Sequence, residues 1–265
     1  MIKTIVALLL LTVTVEASEI RVIAGTSLIE DIVADLTDKG AEIVTIIAGS
    51  SCPGHEGNKT TDFVFAAKAD LLIIHTSQQK MSQVTGLVKA VDSKRLKVKV
   101  ISPGGSWLIP DVQIRATKDI QMVLSEAFPD QADLFKERAN RRIAKVQSAG
   151  ADAKKRLMNA NGEVASSSIL REFVLWAGFA VVESFGRAED LTPREIAQSI
   201  ERLRGKPLAG VVDNYQSGAD VGLPLSLELK VPHVVLSSYP GFNDETLDYF
   251  TLLNYNVRQL ETLVK

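Results

Sequence analysis

Residues 129–162, PDQADLFKERANRRIAKVQSAGADAKKRLMNANG, restrict the possible fold of this chain more than any other stretch. Phe135, Ala139, Ile143, Val146, Ala149, Ala153 and Leu157 recur at three- and four-residue spacing with charged residues between them, which is the pattern of one amphipathic helix. Roughly thirty residues rising about 1.5 Å each make a rod on the order of 45 Å long, enough to run along a whole molecule. Gly150 is where such a helix would break, since an interior glycine costs about 1 kcal/mol relative to alanine. Similar numbers of strand and helix segments lie on either side. The stretch therefore reads as a rigid connector, 129–162, between two lobes, 18–128 and 163–265.

On the N-terminal side, apolar runs at 19–24, 42–48, 70–75 and 97–102 alternate with helical segments at 27–40, from about 60, within 78–91 and at 111–128. On the other side, strands at 163–166, 180–185, 208–212 and 233–237 alternate with helices at 168–177, 193–204, 217–229 and 244–263. Ser27-Leu28-Ile29-Glu30 and Thr192-Pro193-Arg194-Glu195 both have the form of a capping box, the second with proline at the first helical position. Apolar strands alternating with helices imply parallel sheets covered on both faces. The expected fold is α/β: two lobes, each a roughly four-stranded parallel sheet flanked by helices, joined by one long connector helix. Ligands of such sheets bind outside the carboxyl ends of the strands, so two lobes bring two sets of βα loops to face each other across a cleft.

The charge balance, 30 basic against 32 acidic residues mixed along the chain for a net charge of −2, leaves no footprint for nucleic acid and no polybasic membrane patch. Residues 1–17 carry Lys3, an apolar run at 5–15 and a small residue, Ala17, before Ser18, the layout of a cleavable signal peptide. That run is too short for a membrane span, and no later run is long and apolar enough for one. The one cysteine, Cys52, lies far from the cleavage point, which excludes a disulfide and an acylated N-terminal cysteine. The expectation is an exported, periplasmic monomer.

Cys52-Pro53-Gly54-His55-Glu56 places a thiol, an imidazole and a carboxylate within five residues on one βα loop, and these are transition-metal ligand types. The bland alternative is a small packed thiol beside a solvated histidine. His75 ends a strand and points to the cleft, whereas His233 begins one and reads as structural. Asp213, Asn214 and Gln216 follow an apolar strand at the second lobe's switch region, as ligand contacts or as caps of the next helix. Hydroxyls at Ser50, Ser51, Thr76, Ser106, Ser167, Ser237 and Ser238 keep an oxyanion or metal-chelate ligand open beside a bare ion. No G-x-G-x-x-G follows the first strand, and neither a Walker A loop nor a G-x-S-x-G elbow is present. An exported α/β hydrolase using His55 and Glu56 for acid-base work is the alternative of another class.

Through nearly all of its mature length the chain resembles the zinc- and manganese-binding (adhesin-like, cluster A-I) solute-binding proteins of ABC transporters. PDQADLFKERANRRIAKV is similar to their connector helix and KADLLIIH to their third strand. The resemblance implies a transition-metal ion as transported ligand and an ABC permease in the inner membrane as partner, with no catalysis. It also implies four ligand positions: His55 in the loop Ser51-Cys52-Pro53-Gly54-His55, then Gly105 before Trp107-Leu108-Ile109-Pro110, Ser167, and Ser237. Only His55 keeps a metal-binding side chain. The expected site is therefore remodelled, with Cys52, His55 and Asp213 as metal ligands and Glu56, His75, Asn214, Gln216 and Ser237 around the bound ion or small metal-containing ligand.

Overall fold

The computed structural model describes residues 20–51, 57–91 and 94–264. The expected signal peptide and the residues Cys52, His55 and Glu56 lie outside the described residues. In the first lobe β1 (Ile20–Thr26), β2 (Ala41–Ile47), β3 (Leu71–His75) and β4 (Lys97–Ile101) form a parallel sheet of order β2-β1-β3-β4. In the second, β5 (Glu163–Ser167), β6 (Ala180–Phe185), β7 (Leu208–Asn214) and β8 (His233–Leu236) repeat the arrangement as β6-β5-β7-β8. Every strand pairing is parallel, as the apolar runs predict. Central strands β1, β3 and β7 are almost wholly buried, while edge strands β2, β4 and β6 are not.

Helices α1 (Ser27–Thr37), α2 (Thr60–Ala66), α3 (Ser82–Val91) and α4 (Pro110–Ala127) cover the first sheet. Helices α6 (Arg171–Ala177), α7 (Pro193–Leu203), α8 (Leu223–Leu229) and α9 (Tyr249–Glu261) cover the second, and α5 (Ala132–Arg156) lies between the two sets. The α7 capping box forms as expected: Glu195 N donates to Thr192 Oγ1 at 3.3 Å, and Thr192 N donates to Glu195 Oε2 at 2.8 Å. The α1 box does not. The cap is Thr26, whose hydroxyl accepts from Ile29 N, because Ser27 Oγ is spent on Pro240 O of the other lobe at 2.9 Å. Two other helices are shorter than expected: a 3₁₀ turn, Tyr215–Ser217, stands before α8, and α9 starts only at Tyr249, where Asp248 caps it.

The connector helix has 25 residues, about 37 Å at the usual rise, after a 3₁₀ turn at Pro129–Gln131. It runs through Gly150 without a break. A Cβ there would lie 2.7 Å from Pro110 Cγ, so glycine is what lets α5 pass against the start of α4. Phe135 and Ala139 of α5 pack into the first lobe's core, Val146 and Ala153 into the second's. Leu28 and Leu108, which belong to the first lobe, are buried in the second lobe's cluster, and half-buried Trp107 packs against both. Among the described residues no helix is long and apolar enough to cross a membrane.

Candidate ligand cleft

In a sheet of order 2-1-3-4 the chain leaves its two central strands in opposite directions, which opens a crevice at their carboxyl ends. Here those ends are Thr26 and His75 in one sheet and Ser167 and Asn214 in the other. A cleft of about 440 Å³ lies between the lobes at this level. Thr26, Ile47, His75 and Trp107 line it from one side, Glu172 and Tyr239 from the other.

His75 is held by the turn that it starts. Ser77 N donates to Nδ1 at 3.1 Å, and Ser77 Oγ lies 2.7 Å from the same nitrogen. An Nδ1 that accepts a backbone N–H leaves the neutral ring's proton on Nε2, so this imidazole offers the cleft a donor. Burial disfavours the imidazolium and lowers the His75 pKa. The ring meets Trp107 edge-on at 5.8 Å between centroids, which fixes its plane.

The second lobe's polar candidates are engaged by the protein itself. Gln216 Nε2 donates to Ser237 Oγ at 2.8 Å and, across the seam between lobes, to Gly49 O at 2.7 Å; its Oε1 accepts Ser238 N at 3.0 Å. Asn214 Nδ2 donates to Ser238 Oγ at 2.7 Å, and Asn214 Oδ1 accepts from Ser217 Oγ at 3.0 Å. Ser237 Oγ donates to Tyr239 O at 2.9 Å. All three residues are at most 5% exposed, so the expected ligand contacts at Asn214, Gln216 and Ser237 are instead braces that shape the 237–240 loop and join it to the other lobe.

Asp213 is corrected in the same way. Its carboxylate is fully buried, accepts Gly222 N on both oxygens at 3.0 and 2.8 Å, and lies 2.7 Å from His233 Nε2. Strand alternation explains this: residues 211 and 213 share one face of β7, and His233, in register with Val211, stands on that face, away from the cleft. His233 is structural, as its place at a strand start suggested. Replacing it by alanine strands a buried carboxylate and should cost about 3 kcal/mol in denaturant unfolding; a loss under about 0.5 kcal/mol would contradict the pairing.

Burial also holds the Asp213 carboxyl above its ordinary value of 3.8, against the pull of His233 and Gly222 N–H. A raised acid contributes stability that is fully present below the unfolded value and lost as pH rises through the folded one. Asp213→Asn should therefore remove part of the decline in stability on going from about pH 4 to neutrality. Denaturant midpoints of the two proteins that run parallel over that range would exclude it.

Ser167, 1% exposed at the end of β5, has a hydroxyl without a hydrogen-bond partner among the described residues. Gly105, at φ +81, carries no side chain, and a Cβ there would stand 3.4 Å from Glu172 Oε2. Glu172 comes from the first turn of α6 and accepts Ser106 N at 2.6 Å across the cleft. Sequence reasoning missed Glu172, because nothing local distinguishes it from any acidic residue near a helix start. Among the described residues, no three His, Cys, Asp or Glu side chains converge as a metal cluster.

Comparison with solved structures shows the same fold in distant proteins. A periplasmic metal binding protein from Candidatus Liberibacter asiaticus superposes with TM-score 0.76 at 15% identity, over 93% of this chain and 100% of that one. The Mn-bound form of that protein gives TM-score 0.75 at 15% identity over the same shares. Zn(II)-bound AdcA from Streptococcus pneumoniae gives TM-score 0.72 at 17% identity, over 93% of this chain and 58% of that one. No curated protein matches the sequence. The sequence profile of the ZnuA family, described as zinc-uptake complex component A, periplasmic, matches residues 22–263. With two sheets of one topology, a cleft at their switch points and a profile match over nearly its whole length, the chain belongs to the ZnuA family of periplasmic zinc-uptake components.

Proposed function

We propose that this chain is the solute-binding component of an ABC importer, that it receives a transition-metal ion or a small metal-containing ligand in the cleft between its lobes, and that it passes this cargo to an inner-membrane permease. The observation that carries the reading is the meeting of both sheets' switch points at one cleft, in a chain of the ZnuA family. The metal-binding groups assigned to it are Cys52 and His55, on the loop that follows β2. Thiolate and imidazole suit soft and borderline ions, and both must be deprotonated to bind, so affinity should fall as pH drops. The protein works as a monomer after signal cleavage near Ala17 and catalyses no reaction. The hydrolase alternative has no support in the comparisons.

A native mass spectrum before and after chelation tests the reading: one equivalent of metal, removed by chelator and restored by Zn²⁺ or Mn²⁺, is expected. His55→Ala should abolish retention, and Cys52→Ser should weaken it. Wild-type protein that takes up neither ion overturns the proposal.

The cleft also has room for a metal chelate or other small metal-containing ligand around the ion. Its volume of about 440 Å³ falls in the range of small-molecule sites, and its walls include Leu28, Ile47, Met81, Trp107 and Ile169 beside the hydroxyls. A mass increment larger than the metal alone in the spectrum of protein isolated from its native host distinguishes such a ligand from a bare ion.

A further inference from the structure

We propose that Glu172 is the carboxylate that holds the cargo from the second lobe, an assignment that rests on the metal-binding reading above. Two features of its place lead there. Among the described residues that line the cleft, Glu172 is the one acidic residue and none is Lys or Arg. Among the described residues Glu172 forms no ion pair, so its charge faces the cleft without a protein cation. An unneutralised carboxylate in a concave, partly apolar site attracts cations and repels anions.

The second feature is its aim. Oε2 accepts the backbone N–H of Ser106 at 2.6 Å, which fixes a long side chain to the opposite lobe. The carboxylate lies beside Gly105, where an added Cβ would be in ordinary contact with Oε2 at 3.4 Å. A carboxylate has about four acceptor directions, and one N–H uses one of them. Oε1 accepts no hydrogen bond from the described residues, which leaves it for a metal ion or for the cationic edge of a chelate. His75, whose Nδ1 is occupied, and Glu172, whose Oε1 is open, thus divide the cleft into a donor wall and an acceptor wall.

Glu172→Gln tests this with little risk to the fold, since the amide oxygen still accepts Ser106 N and only the charge is lost. Titrations of wild type and variant with Zn²⁺ and with Mn²⁺, followed by calorimetry, are compared with thermal melts of the metal-free proteins. Expected is a loss of affinity of at least the roughly 10- to 100-fold that even outer partners of a metal contribute, with unchanged melting. Equal affinity in the two proteins overturns the role of Glu172 and leaves the metal-binding reading standing. Failure of the wild type to bind either ion overturns both. Glu172→Asp, shorter by one methylene, should bind more weakly than wild type as well; wild-type affinity there would also overturn the assignment.

Discussion

Arg142→Ala is expected to lower the stability of the whole molecule by about 3–5 kcal/mol, because it removes one partner of a buried ion-pair network. The Arg142 side chain on α5 is 1% exposed; it pairs with Asp31 at 2.5 Å and with Asp35, both on α1. Its guanidinium also lies 5.4 Å from the Phe250 ring of α9, in the second lobe. Asp31 Oδ2 in turn accepts Tyr249 N, 218 positions away in sequence, at 3.3 Å. One side chain thus joins the connector to a helix of each lobe. Burial already raises the Asp31 pKa despite the opposing pull of Arg142, so the variant leaves an acid with no counter-charge that must protonate or be hydrated.

At about 2–4 °C per kcal/mol for a chain of this size, the melting temperature should fall by roughly 10 °C. A second variant isolates the cause. In Arg142→Met with Asp31→Asn the amide still accepts Tyr249 N and no buried charge is stranded, since the remaining Asp35 carboxylate is 43% exposed and can be hydrated, so much of the loss should return. Melting of Arg142→Ala within about 2 °C of wild type would contradict the network.

Gly49→Ala is expected to force the lobes apart. A Cβ at 49 would stand 1.9 Å from Pro240 O and 2.7 Å from the carbonyl carbons of Pro240 and Gly241, all backbone atoms of the opposite lobe. Backbone cannot rotate away as a side chain does, so the seam must open. Two hydrogen bonds across it, Gln216 Nε2 to Gly49 O and Ser27 Oγ to Pro240 O, lengthen with it. Overpacking costs about 1–3 kcal/mol, and each lost bond adds about 1 kcal/mol. Solution scattering should show a larger radius of gyration than wild type, and metal retention should fall with it. Gly86→Ala, within α3 of the same lobe, meets only Asn58 Nδ2 at 3.9 Å and serves as a control expected to be neutral or slightly stabilising. A radius of gyration unchanged by Gly49→Ala would mean that the seam does not set the spacing of the lobes.

For the wild type, the shared core predicts small closure on ligand binding. Leu28, Leu108 and Tyr249 tie the lobes together beside α5, and Tyr249 Oη donates to Leu108 O at 3.1 Å. A wide hinge would have to expose this packing. Scattering profiles with and without Zn²⁺ should nearly coincide, and a large contraction would contradict this.

What the sequence by itself determined is what depends on neighbours a few residues apart. The three- and four-residue spacing of Phe135, Ala139, Val146 and Ala153 specified α5, and apolar runs bounded by turn residues specified eight parallel strands in two equal sets. Thr192 and Glu195 cap α7 because both partners of that box lie within one turn.

Tertiary structure decided everything whose partner is distant along the chain. Ser27 has the spacing of a cap, yet Pro240, 213 positions away, takes its hydroxyl, and Thr26 caps α1 instead. Arg142 stands beside the apolar stripe, and periodicity assigns it to solvent; Asp31 and Asp35, more than a hundred positions away, offer the charges that make its burial tolerable. Asp213 ends an apolar strand as a ligand residue would, but pleat alternation turns it to His233, and only the pairing of β7 with β8 brings that imidazole within reach. Glu172 is held at the cleft by the backbone N–H of Ser106 in the other lobe, 66 positions away in sequence. Spacing along a chain encodes which face a side chain takes; which atoms wait on that face depends on how the two sheets are brought together.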